Sequence, residues 1–268
     1  KLIMTAIERT AYPRLFKHRS YRKKDLEAYI PSLEELDYIE SNFRSPQQKL
    51  NFAVQLKVFQ KLGYFANFKE IPSPITRKIR ESLSLPGHLK ASYTNKTDMY
   101  RHRAIIKKRM QVNSWNETAQ ALAFGRAMKI AQILNDPADI INAVIEEAIK
   151  LRYELPAFST LDRLTRKART EVNTAIFKQV AAVLKEDGLA KILDEFIAAP
   201  PSSQYTSHYQ ALKHLPKRPT LKNFKRLLSH HEFLEKIGDL SGYLKDIPKL
   251  KLDQFIEEAK SLDVSDIK

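Results

Sequence analysis

Six glycines serve the whole of this chain, and none precedes Gly63. Phosphate-cradling loops and dinucleotide-binding turns need clustered glycines, and none cluster here, so nucleotide-hydrolase and Rossmann-type designs are excluded. The 13 prolines act as punctuation between stretches of helical period. That pattern predicts about a dozen helices joined by short turns and no strand, an all-α fold. A length of 268 residues suits two or three helical bundles, each with its own core. A 43% hydrophobic content excludes wholesale disorder. No apolar run approaches the roughly 18 residues a membrane span needs, so a membrane is not an expected partner. The absence of cysteine excludes disulfides, thiolate catalysis and thiolate metal sites, and fits a cytosolic protein.

Start and stop signals place the helices. Ser32 with Glu35 three positions on reads as a capping box for a helix to about Asn42. Pro46 opens a second helix that turns Leu50, Ala53, Val54, Leu56 and Phe59 inward and stops at Gly63. Ser73-Pro74 opens a third helix, closed by Pro86-Gly87, and Thr97-Asp98 opens a fourth. Gln111–Asn116 reads as a hinge, with Trp115 as a packing residue. Beyond it, helices are expected over about 116–134, 137–151 and 160–184, the last with Leu161, Leu164, Ala168, Val172, Ile176 and Val180 on one face. The stretch Ala198–Ser207 reads as a linker, followed by short helices near 221–228, 231–237 and 252–261. Three segments result: 1–113, 114–199 and 200–268.

Charge separates these segments. Residues 1–113 hold 23 of the 46 Lys and Arg but 10 of the 31 Asp and Glu, a net of +13, whereas 114–199 carry −1 and 200–268 carry +3. A surplus needed only for solubility would be spread evenly; a concentrated one is the footprint of a polyanion, most commonly nucleic acid. The candidate phosphate contacts are Arg14, Lys17, Arg19, Arg22, Lys23 and Lys24 of a basic arm interleaved with Tyr12, Phe16 and Tyr21, then Arg44 and Lys49. Arg77, Lys78 and Arg80 follow on one helix, and Arg101, Arg103, Lys107, Lys108 and Arg109 on the next. Each cluster has a plainer reading as a solvated helix face, and the arm equally reads as a chain that packs its aromatics and leaves its cations in water. Carboxylates are too scarce across 1–113 to neutralise the whole set by pairing.

The helix over 137–151, the loop after it and the helix from Thr160 form a candidate helix-turn-helix. Such a unit presents the first turns of its second helix to base edges. Arg163, Arg166, Lys167, Arg169 and Thr170 carry suitable chemistry there: guanidinium for guanine, ammonium for phosphate, hydroxyl for either. The plainer reading is an ordinary helical hairpin, and the loop is longer than a tight turn. Catalytic signals are weak. His208 and His214 are six apart, off helical facing, and His230-His231 point to different sides, so the histidines make no metal site. No serine lies in a nucleophile elbow.

Several strings resemble one family. Phe52-Ala-Val-Gln-Leu-Lys-Val-Phe-Gln-Lys-Leu-Gly-Tyr-Phe65, Glu8-Arg9 with Tyr12-Pro13-Arg14, and Tyr153-Glu-Leu-Pro-Ala-Phe-Ser-Thr-Leu-Asp-Arg-Leu164 are similar to the N-terminal region of the large replicative transposases of the Tn-three type. Pro216, Pro219-Thr220-Leu221 and Ala259-Lys-Ser-Leu-Asp263 fit as well. The resemblance implies a helical region that binds double-stranded DNA at the terminal inverted repeats, in a bacterial cytoplasm at the nucleoid, within a self-associating transposase. It places catalysis in a later ribonuclease-H-like domain, whose Asp-Asp-Glu triad holds a divalent metal such as magnesium. That domain is expected downstream of Lys268, so no catalytic residue and no cofactor is assigned within 1–268. Lys1 in place of an initiator methionine and a charged final stretch fit a segment of a longer protein. The family's Arg-Leu-Gly before the first string is Lys49-Leu50-Asn51 here, which loses the glycine. The alternatives are an RNA-binding helical module, a basic scaffold for an acidic protein, and a stand-alone enzyme.

Overall fold

The computed structural model describes residues 6–16, 21–198, 207–213 and 218–262. Lys17, Arg19, His214 and most of the expected linker lie outside the described residues. Among the described residues there are thirteen α-helices and no strand; an isolated bridge pairs Asn113 with Tyr153. The chain is all-α. It divides into two compact units, 1–126 with 141–163, and 127–140 with 164–268.

The first unit is built on a helix buried on every side. α1 is Lys23–Glu27, α2 Leu33–Asn42, α3 Pro46–Leu62, α4 Ser73–Ser82 and α5 Lys96–Met110. The expected capping box starts α2: the Ser32 hydroxyl accepts from the Glu35 N–H at 3.2 Å, and the Glu35 carboxylate accepts from the Ser32 N–H at 2.8 Å. Pro46 occupies the first position of α3, where its missing N–H costs nothing, and Gly63 ends it at φ 70 in the left-handed region. Leu50, Phe52, Ala53, Val54, Leu56, Val58, Phe59 and Leu62 of α3 are all buried. A helix with apolar residues around most of its circumference belongs at the centre of a bundle, and α2, α4 and α5 pack around it. Ile39, Phe43, Ile75, Ile79 and Ile106 close the core from those neighbours. Truncating Phe52, which has no exposed surface, to alanine would cost about 3–5 kcal/mol. α5 begins at Lys96, one residue before the expected start, because Asn95 caps it by accepting from the Thr97 N–H at 2.8 Å.

The expected hinge is tied down. Asn113 donates its N–H to the Arg152 carbonyl at 2.7 Å and accepts from the Glu154 N–H at 2.9 Å. The Trp115 N–H reaches Glu154 Oε1 at 3.1 Å. Arg152 takes φ 55 to make this turn.

α6 (Glu117–Ala131), α7 (Pro137–Lys150) and α8 (Phe158–Glu186) each have residues on both sides of the division. α8 starts at Phe158, two residues ahead of expectation, and along it Leu161, Leu164, Ala168 and Val172 are buried as its period requires. α9 (Leu189–Ile197), α10 (His208–Lys213), α11 (Leu221–Ile237), α12 (Ser241–Leu244) and α13 (Lys249–Ser261) complete the second unit. The two short helices expected over 221–237 are one, α11: Ser229-His230 has no helix-breaking residue and the i→i−4 ladder continues to Gly238.

Candidate nucleic-acid interface

Folding sorts the basic residues of the first unit into two groups. α1 packs against α4, with Leu26 and Tyr29 on one side and Ile75 and Ile79 on the other turned to the core. Their outer faces then carry Arg22, Lys23, Lys24 and Arg77 exposed, with Lys78 half-buried. Among the described residues none of these five forms an ion pair. The carboxylate nearest in sequence to Arg22, Lys23 and Lys24, Asp25, is occupied at the start of α1, where it accepts from the Arg22 N–H at 3.2 Å. Two clusters about fifty positions apart in the chain thus meet on one packed helix pair. The outer face of α5 adds Lys96, Arg101 and Lys108 around Tyr100, which is 61% exposed. Arg44 is exposed beyond the end of α2.

Several of the expected phosphate contacts already have partners within the chain. Lys49 is paired with Glu40. Arg80 donates to the Leu89 carbonyl at 3.0 Å. Arg103 lies 5.1 Å over the Phe65 ring. Lys107 is hydrogen-bonded to Ser114 and 3.5 Å from Glu154. Arg109 binds Glu34 at 2.8 Å and covers Tyr38 at 4.6 Å. Arg14 lies 5.2 Å over Phe16, and Arg101 makes an exposed pair with Asp98 at 3.3 Å. The expectation that scarce carboxylates leave these cations unpaired therefore fails for Lys49, Arg101, Lys107 and Arg109. Glu34 and Glu154 reach their cations from distant parts of the sequence, whereas Glu40 and Asp98 lie within ten positions of theirs.

Sequence reasoning missed two buried polar sites in this unit. Lys57 Nζ meets Glu35 at 3.0 Å, with 10% of each side chain exposed, and Gln60 donates to the other Glu35 oxygen at 2.6 Å. Burial alone would raise the Glu35 carboxyl, but hydrogen bonds from Ser32, Gln60 and Lys57 and the Lys57 charge outweigh it and hold it below its ordinary value. His102 has no exposed surface, is ringed by Phe43, Phe52 and Tyr93, and shares a 2.8 Å hydrogen bond with the Tyr93 hydroxyl. Burial, with the Arg101 charge second, pushes it down to about 4. Local pattern gives no sign of the first site, since its partners lie 22 positions apart.

The family-like strings converge. The Tyr12 ring stacks on Tyr64 at 5.3 Å and meets Phe158 edge-on at 5.5 Å, and its hydroxyl donates to the Pro156 carbonyl at 2.8 Å. Tyr64 donates to the Pro13 carbonyl at 3.1 Å, and the Leu155 N–H to the Gly63 carbonyl at 2.8 Å. Burial, then the Tyr64 neighbour, raises the Tyr12 phenol above its ordinary value. These stretches therefore brace α3, the N-terminal segment and the start of α8. Asn51, at the family's glycine position, is used as well: its side chain clamps the Ser92 backbone with bonds of 2.6 and 3.0 Å.

On α8, Arg163, Arg166, Lys167 and Thr170 are exposed, and Lys167 lies 3.8 Å from Glu171. Arg169 is different. In the second unit its Nε donates to Asn135 Oδ1 at 3.1 Å and its Nη2 to both Glu258 oxygens at 3.0 and 2.9 Å. Asn135 also accepts from Asn173 at 2.9 Å and donates to Glu258 at 2.8 Å. Lys251, fully buried, donates to the Ala131 and Leu134 carbonyls at the end of α6. Burial, with Arg169 second, pushes its ammonium down to about 8. In the same unit His208 meets His230, Nδ1 to Nδ1 at 3.5 Å, and its ring stacks on Phe233. Among the described residues no group of three or more His, Asp and Glu could hold a metal ion, and no helix is long and apolar enough to cross a membrane.

A family profile described as a domain of unknown function (DUF4158) matches residues 3–168. The chain belongs to that family. The matched segment holds all of α1 to α7, and with them the basic faces of α1, α4 and α5. The chain is also related to a transposase: it is 22% identical over 217 residues to the transposase for transposon Tn1546 of Enterococcus faecium. That match covers 80% of this chain but 21% of the relative, so the chain spans about a fifth of that protein's length.

Proposed function

We propose that this chain is the N-terminal DNA-recognition region of a replicative, Tn-three-type transposase, and that it binds the terminal inverted repeats of the element. The observation that carries the reading is the outer face of the α1–α4 pair, where Arg22, Lys23, Lys24, Arg77 and Lys78 gather with no ion pair among the described residues. Lysine and arginine in such a stripe displace counterions from a duplex and gain affinity without reading sequence. The exposed face of α5 extends it with Lys96, Arg101 and Lys108.

Sequence reading falls to α8, following α7 in a helix-turn-helix-like arrangement, through Arg163, Arg166, Lys167 and Thr170. Arg169 acts as a positioning residue, because its guanidinium is bound to Asn135 and Glu258. On this reading the divalent metal of strand transfer is held outside the residues of this chain, and self-association belongs to the whole transposase at the bacterial nucleoid. Fluorescence anisotropy tests the proposal. The element's own inverted repeat is expected to bind more tightly than scrambled duplex, with an affinity that falls as salt rises. Arg163→Ala with Arg166→Ala is expected to erase that preference. Equal affinity for both duplexes would remove the sequence-reading claim. A preference for single-stranded RNA, or no duplex complex at low salt, would favour an RNA-binding module or a protein scaffold instead.

A further inference from the structure

α3 carries a polar stripe. Gln47, Asn51 and Gln55 recur every fourth residue, so they share one face of a helix otherwise enclosed by apolar side chains. Polar groups in such a place are costly unless hydrogen-bonded, and these hold two neighbouring segments in position. Gln47 donates to the Lys90 carbonyl at 2.8 Å, Asn51 is bonded twice to the Ser92 backbone, and Gln55 donates to the Ala66 carbonyl at 3.4 Å. Between those segments lies a cavity of about 570 Å³.

The lining of the cavity is chemically one-sided. Phe65, Phe68 and Tyr93 form apolar walls, with Phe68 stacked on Tyr93 at 5.1 Å. Lys69, Lys96 and Arg103 supply positive charge, and among the described residues no carboxylate lines it. Two groups at its edge are incompletely bonded among the described residues: Gln55, 3% exposed, leaves its Oε1 buried without a hydrogen-bond partner, and Arg103 does the same with its Nε. The volume lies within the range that encloses small organic ligands. A bare inorganic anion would leave the apolar walls uncovered, and an apolar molecule would desolvate the cations without reward. A flat, anionic ligand with hydrogen-bond donors on its edge satisfies both.

We propose that this cleft takes one nucleotide, unstacked from DNA bound to the same unit. Its base lies along the Phe68–Tyr93 wall, an amino group of the base turns toward Gln55, and Lys69, Lys96 and Arg103 surround its phosphate. The inference rests on the DNA-binding reading, but its test separates the two. The full chain is titrated with a blunt duplex, with the same duplex carrying one unpaired 2-aminopurine, and with free 2-aminopurine nucleoside 5′-monophosphate. The unpaired nucleotide is expected to tighten binding at least about tenfold, a difference of about 1.4 kcal/mol, and to change the 2-aminopurine emission. Lys69→Ala with Lys96→Ala, both exposed positions, is expected to erase that preference with an unchanged Tm. Gln55→Leu, which keeps the side-chain bulk and removes the unpartnered oxygen, is expected to weaken it in the same direction. Equal binding of the two duplexes with unaltered emission overturns the cleft as a site for DNA nucleotides and leaves duplex binding standing. Capture of the free monophosphate, lost in the lysine variant, supports the same pocket with a free nucleotide as its source. Failure of every duplex at low salt removes the DNA reading, and failure of the free monophosphate as well removes the cleft.

Discussion

Arg77 on α4 and Arg169 on α8 sit in basic helical stretches that look alike as strings of residues. Arg77 is exposed on α4, which packs against the α1 helix of Lys23 and Lys24, and among the described residues it forms no ion pair. Arg169 ends on Glu258, 89 positions away, and on Asn135. The difference lies in what each unit brings up from elsewhere in the chain. In the first, α1 delivers more cations to α4. In the second, α13 delivers Glu258, Gln254 and Lys251 to the α6–α7 turn and to Arg169. Local charge density thus identifies basic helices but not which of their side chains a partner can reach.

That contrast can be broken by substitution, and the largest effect is expected at a cation that charge counting passes over. Lys57→Met leaves the Glu35 carboxylate buried without its counter-charge, and thermal or urea unfolding should show a loss of about 3–5 kcal/mol. A comparable term should appear on acidification. His102 is held neutral, with its value lowered from 6.5 to about 4. The unfolded chain therefore takes up its proton first as pH falls. Stability present above pH 6.5 should drain away toward pH 4 by up to about 3 kcal/mol, the work of 2.5 pH units. His102→Gln should flatten that part of the stability–pH curve.

Smaller effects sharpen the comparison. Arg169→Ala leaves Glu258 and Asn135 short of a donor, and should cost the second unit about 1–3 kcal/mol in denaturant unfolding. Arg163→Ala, an exposed position on the same helix, should change stability by less than about 0.5 kcal/mol while reducing preference for the inverted repeat. Lys23→Ala, Lys24→Ala and Arg77→Ala combined should leave the Tm unchanged. Their mark is expected in the salt dependence of duplex binding, where the log–log slope should shallow by about 0.9 for each phosphate contact removed. If the triple variant keeps the wild-type slope, the α1–α4 face is not where DNA lies.

Legibility follows sequence distance. The Ser32–Glu35 box, Pro46 and Gly63 are readable because each signal acts within one turn, so the all-α class and the bounds of α2 and α3 follow. The Lys57–Glu35 pair, the Tyr12–Phe158 contact and the Lys251 bonds to α6 are not, because nothing local distinguishes their members from ordinary surface or core residues. Position within α8 could not separate Arg169 from Arg166 either: both fall in a basic stretch, and Glu258 distinguishes them only after folding.

Lys251 carries a lesson for handling the molecule. Its ammonium closes off the terminal carbonyls of α6, more than a hundred positions upstream. A protein shortened at the proline-rich stretch near residue 200 would lose that plug, and water or aggregation would find the bared helix end. Limited proteolysis that removes α13 should therefore loosen α6 first, with faster amide exchange beginning at Ala131.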